Sequence, residues 1–275
     1  MGLRGSASCR SPSPVTPYGI PMTFSVVHEA RTYRDFGPSG RFTTFRVVVE
    51  TSDLYVKAYR ELEKETEKLI RKYRSQVEYA IARRSEFLKS MEPLEEHEND
   101  SPIAARMIAA GRKAGTGPMA AVAGAIAQFV GQELLQWSPE LIVENGGDIF
   151  LKVAHPVVVG IFAGNSPFSG KLGIRVEPTM LPLGLCTSSS SVGPSMSWGR
   201  ADAATVVSRD VALADAVATQ LGNKVTQPGD LKDAVRWAVE VPGVEGALAV
   251  MGDKLAALGD LELVPLSESD KEVKP

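Results

Sequence analysis

The chain has 275 residues, of which 44% are hydrophobic and 23% charged, and its formal net charge is −3. This length and composition are typical of a globular protein with a sizeable core, built as one large domain or two small ones. The slight acidic excess gives no support for nucleic-acid binding, which usually needs a basic surface. No apolar run approaches the roughly 18 residues of a membrane span. We therefore expect neither a nucleic acid nor a membrane as partner.

The two ends of the chain differ in composition from the middle. Residues 1–20 are rich in Ser, Pro and Gly without periodicity, which predicts a disordered tail. This segment has no apolar h-region and is not a secretory signal. Only Cys9 and Cys186 are cysteines, so a disulfide framework is not expected, and the three histidines stand apart from other zinc ligands. We expect a cytoplasmic protein with one domain over 21–266 and a polar tail over 267–275.

The first half of the predicted domain changes from strand to helix periodicity. Short β-type runs at Thr23–Val27, 42–50 and 54–56 predict strands. Apolar residues then recur at helical spacing from Tyr59 to Met91. This pattern predicts one long amphipathic helix, or a helix with a break, that ends before Pro93. Its charges are typical of a solvated face with (i, i+4) pairs, and a coiled-coil or homodimer contact is the alternative.

A second group of helices and strands follows. Ser101 and Pro102 predict the start of a helix that runs to Arg112. Met119–Trp137 is rich in Ala and Gly and nearly uncharged, so it predicts a buried helix whose small residues let other backbone approach closely. Strands are then predicted at Leu141–Val143, Ile149–Val153, Val157–Phe162, Lys171–Val176, Gly184–Thr187 and Ala203–Ser208.

The C-terminal part predicts two helices and a hairpin. The first helix runs from Val211 to Leu221, with Asp210 as its cap and Gly222 as its stop. The remaining elements are a helix at about Asp230–Val239, a hairpin of Gly246–Met251 with Lys254–Leu258, and a strand at Leu261–Val264. This order of elements indicates an α/β (α+β) fold in which mixed or antiparallel sheets pack against helices.

The first candidate site is the turn Asn145-Gly146-Gly147-Asp148 between two apolar runs. Two adjacent glycines let the backbone reach positive φ and bring its amides close to a ligand. The simpler interpretation is a hairpin turn of the Asn-Gly type. The functional one is a loop that faces a ligand.

The second candidate is the hydroxyl-rich segment that begins Cys186-Thr187-Ser188-Ser189. Consecutive hydroxyls and backbone amides after a strand can hold phosphate or another anion. A flexible Ser-rich loop is the alternative. A serine nucleophile needs a nearby base, and this segment has no histidine, so we do not expect a hydrolase.

The third candidate is Asp215, which lies in the otherwise apolar run from Val211 to Ala218. A buried charge is costly without a partner. Thr219 lies four residues further, so both oxygens share one helix face. Oxygen ligands of this kind suit Mg²⁺ when a carbonyl and ligand phosphates complete the set. Alternatively, Asp215 caps a neighbouring backbone or pairs with an arginine such as Arg200.

Taken together, these stretches resemble the ApbE-like superfamily, whose flavin transferases attach FMN from FAD to Ser or Thr of partner proteins with Mg²⁺. The family order is an Asn-x-Gly-Gly-Asp turn, a Thr-Ser-Gly loop and an Ala-Asp-x-x-x-Thr helix. Here they correspond to Asn145–Asp148, Thr187–Ser189 and Ala214–Thr219. The small-residue helix is similar to the family segment Asp-x-Gly-Ala-x-x-Lys-Gly, with Ala120 and Gly124 at its Ala and final Gly. The whole is most similar to a smaller, uncharacterised ApbE-related family.

The resemblance implies a site and a ligand. Asp215, Thr219 and the carbonyl of Ala120 would hold Mg²⁺. The residues that would face the flavin nucleotide, FAD or FMN, are Asn145, Gly146, Gly147, Asp148, Thr187, Ser188 and Ser189.

Three departures from the family pattern put transfer chemistry in question. The family His-x-x-Asp-Pro element has no histidine counterpart in residues 193–202, Ala123 replaces the family Lys, and Met119 replaces a Gly. Two hypotheses follow. The protein binds a flavin nucleotide through Mg²⁺ and can transfer FMN, or it is a non-catalytic ligand-binding or assembly protein that kept the fold.

Overall fold

An eight-stranded antiparallel sheet forms the centre of the computed structural model, which describes residues 41–178, 180–189 and 199–266. Its strand order is β1-β2-β3-β4-β7-β8-β9-β10, and a second sheet has the order β11-β6-β5. The strands are β1 (Thr43–Val49), β2 (Ser52–Ala58), β3 (Leu141–Asn145), β4 (Asp148–Lys152), β5 (Val157–Gly160), β6 (Leu172–Val176), β7 (Leu183–Ser188), β8 (Ala203–Ser208), β9 (Val244–Met251), β10 (Lys254–Gly259) and β11 (Glu262–Pro265).

Six helices accompany the sheets. They are α1 (Glu63–Arg83), α2 (Ser85–Lys89), α3 (Pro102–Ala114), α4 (Val122–Leu134), α5 (Val211–Lys224) and α6 (Leu231–Glu240). A 3₁₀ turn at Pro118–Ala121 leads into α4, and another at Pro228–Asp230 leads into α6. The α+β class predicted from the element order is confirmed.

The two faces of the large sheet pack against different layers. Alternate residues of each strand point to opposite faces, so Phe150 of β4 packs with the helices whereas Leu151 packs with the small sheet. One apolar cluster joins the large sheet to α1, α3, α4, α5 and α6, and a second joins it to β5, β6 and β11. Strands such as β8 are therefore buried on both faces.

Of the two alternatives for the long amphipathic helix, the structure shows the helix with a break. It begins at Glu63 rather than Tyr59, and Arg84 adopts an extended conformation between α1 and α2. The Arg84 guanidinium pairs with Asp100 at 3.0 Å, and both side chains are nearly buried. The break lets Phe87 of α2 reach the core, where it is fully buried.

The small-residue helix is buried as predicted, and it begins after the 3₁₀ turn. A Cβ on Gly124 would lie 2.6 Å from the Val211 carbonyl oxygen and 2.7 Å from the Asp215 Cβ. Van der Waals contact does not permit such distances, so only glycine lets α4 and α5 approach this closely.

Helix α5 differs from its prediction at the C-terminal end. Asp210 caps it as predicted, accepting from the Leu213 N–H at 3.3 Å. The helix continues through Gly222 to Lys224, so Gly222 is not a stop. A Cβ on Gly199 would lie 1.8 Å from the Gly222 carbonyl oxygen. The absence of a side chain at Gly199, on the chain that enters β8, therefore permits a close backbone contact with the last turn of α5.

The predicted strand at Leu261–Val264 belongs to the small sheet and not to the sheet that contains β9 and β10. As β11 it pairs with β6, and the Leu266 N–H donates to the Lys171 carbonyl. Both predicted tails and the strand predicted at Thr23–Val27 lie outside the described residues. All described residues belong to one compact unit. Within them, no helix combines the length and apolar character that a membrane crossing requires.

Candidate functional site

Several hairpin connections meet at one end of the large sheet. The antiparallel registers place the β1–β2, β3–β4 and β9–β10 turns there, together with the end of β7 and the start of β8. The Gly146-Gly147 turn thus lies beside the Thr187 end of β7, and the Thr187 N–H donates to the Gly147 carbonyl at 3.2 Å. Two of the three candidate stretches are therefore neighbours.

The Gly-Gly turn is a tight two-residue hairpin. Gly146 and Gly147 have φ of 72° and 114°, and this pair of positive values matches the two-residue turns that suit twisted strands. The side chain of Glu144 accepts from the Gly147 N–H at 3.1 Å. The hairpin interpretation is confirmed, and it is compatible with a ligand-facing role because the turn also positions its flanking side chains.

The flanking residues form a row across three strands. Asn145 pairs with Asp148 across the hairpin, and Asp148 pairs with Cys186 on β7. The strand alternation points all three side chains toward the helix layer, because Phe150 and Val143 on the same faces belong to the helix-side core. The row therefore lies under α4 and α5.

Asp215 meets this row from above. Its Oδ2 accepts from the Gly124 N–H at 2.8 Å, in the first turn of α4. The Asn145 side-chain amide donates to the neighbouring Ala123 carbonyl at 3.0 Å. We call this arrangement the inner site, defined by Asn145, Asp148, Cys186, Asp215 and the main chain of residues 123–124.

Asp215 supplies α4 with a cap from another helix. The first N–H groups of a helix have no partner within it, and Ala121 at the N-cap position offers no side-chain acceptor. A carboxylate there also interacts favourably with the positive end of the helix dipole. The capping alternative predicted for Asp215 is thus observed. Pairing with Arg200 is not observed among the described residues, where the Arg200 N–H donates to the Val225 carbonyl.

The two acids of the inner site are buried without a cation. Asp215 is 9% exposed and Asp148 8%. No Lys or Arg within the described ranges forms an ion pair with either carboxyl group. Burial raises the pKa of Asp215 to about 7, although the N–H groups of Gly124 and Ala123 oppose this rise.

The same environment affects the neighbours of Asp215. Burial, together with the Asp215 charge, raises the pKa of Asp148 well above its ordinary value. Burial and both carboxylates likewise raise the pKa of the Cys186 thiol. At neutral pH the thiol is therefore protonated, and the carboxyl pair retains protons because no positive charge compensates it.

The other two residues that the resemblance assigns to Mg²⁺ are on α5 and on a turn that packs against it. Thr219 is one turn further along α5, and Ala120 lies in the 3₁₀ turn that packs on α5. Both are half-buried, whereas Asp215 is nearly closed off. The described part of the chain has no cluster of three or more His, Cys, Asp or Glu able to hold a metal. The ligands that the resemblance implies are instead one carboxylate, one hydroxyl and one carbonyl.

The hydroxyl segment separates over the two faces of the sheet. Thr187 points away from the inner site and its Oγ1 lies 2.9 Å from the Thr205 hydroxyl. Ser188 is on the helix side by alternation, and Ser189 donates to the Asp202 carbonyl at 2.7 Å. Ser190 and Ser191 lie outside the described residues. The structure thus brings Asn145, Asp148 and Asp215 together but not the hydroxyl of Thr187.

Sequence reasoning missed one member of the inner site and one buried side chain near it. Cys186 was noted only as the start of the hydroxyl segment, although its register opposite Asp148 makes it the buried neighbour of both acids. Gln128, which is 6% exposed, accepts from the Ala212 N–H at 3.1 Å and links α4 to α5. A lone amide in an apolar helix was a signal that could have marked it.

Comparisons with known proteins show the family of the chain. A family model described as AbpE bacteria matches residues 34–240. A UPF0280 protein of Methanocella arvoryzae is 44% identical over 204 residues, which cover 74% of this chain and 83% of the relative. A UPF0280 protein of Methanosarcina acetivorans is 42% identical over 204 residues, covering 72% of this chain and 79% of the relative.

A solved structure shares the fold at low sequence identity. The flavin transferase ApbE from Vibrio cholerae superposes with a TM-score of 0.52 at 12% identity, covering 79% of this chain and 96% of that protein. At this identity the likeness concerns the fold alone. The chain belongs to the UPF0280 family of ApbE-like proteins and has the fold of the ApbE flavin transferases.

Proposed function

We propose that this protein binds a flavin nucleotide, FAD or FMN, together with Mg²⁺ at the inner site. The observation that carries the proposal is the pair of buried acids, Asp148 and Asp215, without a compensating cation among the described residues. Such a pair either keeps protons or takes a positive charge in their place. A hard divalent ion with oxygen ligands fits this chemistry.

The local geometry is consistent with Mg²⁺ ligands at the positions that the family resemblance suggests. A carboxylate offers about four lone-pair positions, so Asp215 can cap α4 and still bind a cation. In a continuous helix the Gly124 N–H would bond to the Ala120 carbonyl, but here it donates to Asp215. The Ala120 carbonyl and the Thr219 hydroxyl are then suited to complete the set with Asp215.

Each group has a separate task in this proposal. Mg²⁺ would supply neutralisation of the nucleotide diphosphate. Asp215 and Asp148 provide negative charge, and Asn145 fixes the first turn of α4 through the Ala123 carbonyl. The Gly-Gly turn holds Asn145 and Asp148 in register. Transfer of FMN from FAD to a Ser or Thr acceptor is the finer hypothesis for this site.

One observation favours binding without transfer. Asp202 lies in the segment that corresponds to the family His-x-x-Asp-Pro element, but its Oδ2 accepts from the Gly252 N–H at 2.6 Å and its carbonyl accepts from Ser189. Its side chain is thus part of the β9–β10 turn. Ala123 also offers no amine where the family has Lys. A non-catalytic nucleotide-binding or assembly protein is therefore the second candidate.

Thermal unfolding with FAD and Mg²⁺ tests the binding proposal. A ligand at 100 times its Kd stabilises the folded state by about 2.7 kcal/mol, or about 5–10 °C in Tm for a chain of this size. We expect the full shift only with both ligands present and a smaller one with Mg²⁺ alone, and we expect Asp215→Asn to abolish both. The asparagine side chain keeps an acceptor oxygen for the Gly124 N–H. A loss of binding in this variant would therefore be caused by the missing negative charge.

Asp210→Asn is the matched control, because Asp210 caps α5 outside the inner site. It should retain the shift, and an Asp215→Asn protein that still responds to FAD and Mg²⁺ would refute the site. Release of AMP from FAD in the presence of a Ser- or Thr-bearing acceptor then separates the two candidates. Release supports transfer, whereas retained binding without release supports the non-catalytic protein.

A further inference from the structure

Helices α4 and α5 cap each other through two buried side chains. Asp215 of α5 accepts from the Gly124 N–H at the start of α4, and Gln128 of α4 accepts from the Ala212 N–H at the start of α5. These are N–H groups that a helix cannot satisfy itself. We call this reciprocal pair of contacts the helix clasp.

The spacing of the helix clasp fixes the two helices relative to each other. Gly124 and Gln128 are four residues apart on α4, and Ala212 and Asp215 are three apart on α5, so each pair occupies one helix face. The contacts run in opposite chain directions. The helices are in close contact at Gly124, where an added Cβ would overlap the Val211 carbonyl oxygen and the Asp215 Cβ.

We propose that Gln128 is a positioning residue for Asp215. With its amide on the Ala212 N–H, Gln128 sets the rotation of α5 about its own axis, and this rotation determines where the Asp215 carboxylate points. Asp148 and Cys186 lie on the sheet below, so a small rotation would move Asp215 away from the inner site. The predicted effect on Mg²⁺ rests on the proposed function, whereas the coupling between the two side chains does not.

Three variants separate positioning from simple stabilisation. Gln128→Leu removes the acceptor at similar volume, and Gln128→Glu keeps an acceptor oxygen. Val130→Ala, at a fully buried position of α4 away from the clasp, is the matched destabilised control. Mg²⁺ affinity is measured on each full-length protein by titration calorimetry with Mg²⁺ alone.

We expect Gln128→Leu to weaken Mg²⁺ binding about tenfold or more, as is typical when a residue that orients a metal ligand is lost. Gln128→Glu should restore most of the affinity, and Val130→Ala should bind Mg²⁺ like the wild type despite its lower stability. Wild-type affinity in Gln128→Leu, or an equal loss in Val130→Ala, would overturn the proposal.

A double-mutant cycle measures the coupling between Gln128 and Asp215 in the absence of metal. The unfolding equilibrium constants of Gln128→Leu, Asp215→Ala and the double variant are compared by urea denaturation. If the two side chains acted independently, the change in the unfolding equilibrium constant of the double variant would equal the product of the two single changes. We expect it to differ from that product by about threefold or more, because residues in one network are usually coupled. A simple product would overturn the positioning role, whereas coupling without Mg²⁺ binding by the wild type would instead overturn the proposed function.

Discussion

At the scale of single residues, Asp215 carries an electrostatic cost in the fold because its carboxyl group is buried. Its carboxyl has a pKa of about 7 in the folded chain, against an ordinary value of 3.8. The amides of α4 stabilise the charged form, but burial outweighs them. A helix cap alone would be served by Ser or Asn at a lower cost. Capping alone does not require this charge, which is the reason we propose a cation at Asp215.

This cost predicts how stability depends on pH without divalent ions. Between pH of about 4 and about 7 the unfolded chain has lost a proton that folded Asp215 still binds. Stability therefore falls as the pH rises through this range and levels off above it. Asp148 acts in the same direction because its pKa is also raised. Urea denaturation from pH 5 to 8 measures the slope, which should be reduced in Asp215→Asn.

Mg²⁺ should reverse this trend, since it competes with protons for the same carboxylates. The stabilisation by Mg²⁺ is expected to grow as the pH rises through about 7, because deprotonation of Asp215 makes its carboxylate available. Denaturation midpoints with and without Mg²⁺ at pH 6 and pH 8 measure the effect. Equal stabilisation at both values would argue against a cation on Asp215.

The two glycines of the hairpin predict unequal tolerance to substitution. Gly147 has a φ of 114°, and a Cβ there would lie 3.2 Å from the Thr187 carbonyl oxygen, whereas Gly146 has a φ of 72° and open space around it. We expect Gly147→Ala to cost about 1–3 kcal/mol. Gly146→Asn should cost less than about 1 kcal/mol, because Asn tolerates this region. Urea denaturation compares them, and equal losses would contradict the assignment.

The sequence identified the acids of the inner site but not their neighbours. Asp215 was recognisable because it interrupts an apolar run, and Asn145 and Asp148 because they flank two glycines. The contact between Asp215 and Gly124 joins residues 91 positions apart, and no local pattern reports such a pairing. The position of Thr187 on the opposite face follows only once the strand register is known.

At the scale of elements, the approach of α4 to α5 holds the inner site together. Ala normally stabilises a helix relative to Gly by about 1 kcal/mol, but a Cβ at Gly124 would overlap the Val211 carbonyl oxygen. We therefore expect Gly124→Ala to destabilise the protein by about 1–3 kcal/mol, as for overpacked cores. Gly229→Ala, with open space around it, is the control and should be nearly neutral in the same thermal-unfolding assay.

The ends of helices could not all be predicted from the local sequence pattern. The period of α1 was readable because its polar face stays in water, whereas the break at Arg84 depends on a partner, Asp100, from the following loop. Gly222 looked like a helix stop, but α5 continues to Lys224 and Gly199, from another part of the chain, packs closely against its last turn. In both cases a tertiary contact overrides the local preference.

At the scale of the whole molecule, the large sheet is covered by two layers that the chain assembles in different ways. The helix layer comes from segments throughout the described chain, but the small sheet is completed only by β11, near its end. The order of helices and strands predicted an α+β fold. It could not predict that β11 joins β6, because strand partners depend on which apolar face remains uncovered.

This arrangement predicts a stability role for the C-terminal strand. Removing residues 261–275 would expose the apolar cluster beneath β11, to which Leu261 and Leu263 contribute. We expect a loss of about 2 kcal/mol or more, from two partly buried leucines at roughly 1.5–3 kcal/mol each when fully buried. Removing only 267–275 is the control and should leave Tm unchanged. An unaffected Tm in the longer truncation would contradict the layer assignment.

The reactivity of the buried Cys186 thiol can be used to measure local opening of the structure. It lies between β4 and α5 with no solvent exposure, and its raised pKa keeps it protonated while the layers are closed. Alkylating reagents attack the thiolate, so in a Cys9→Ser background the labelling rate would follow the transient separation of helix and sheet. A ligand bound at the inner site should lower the rate at which Cys186 is alkylated.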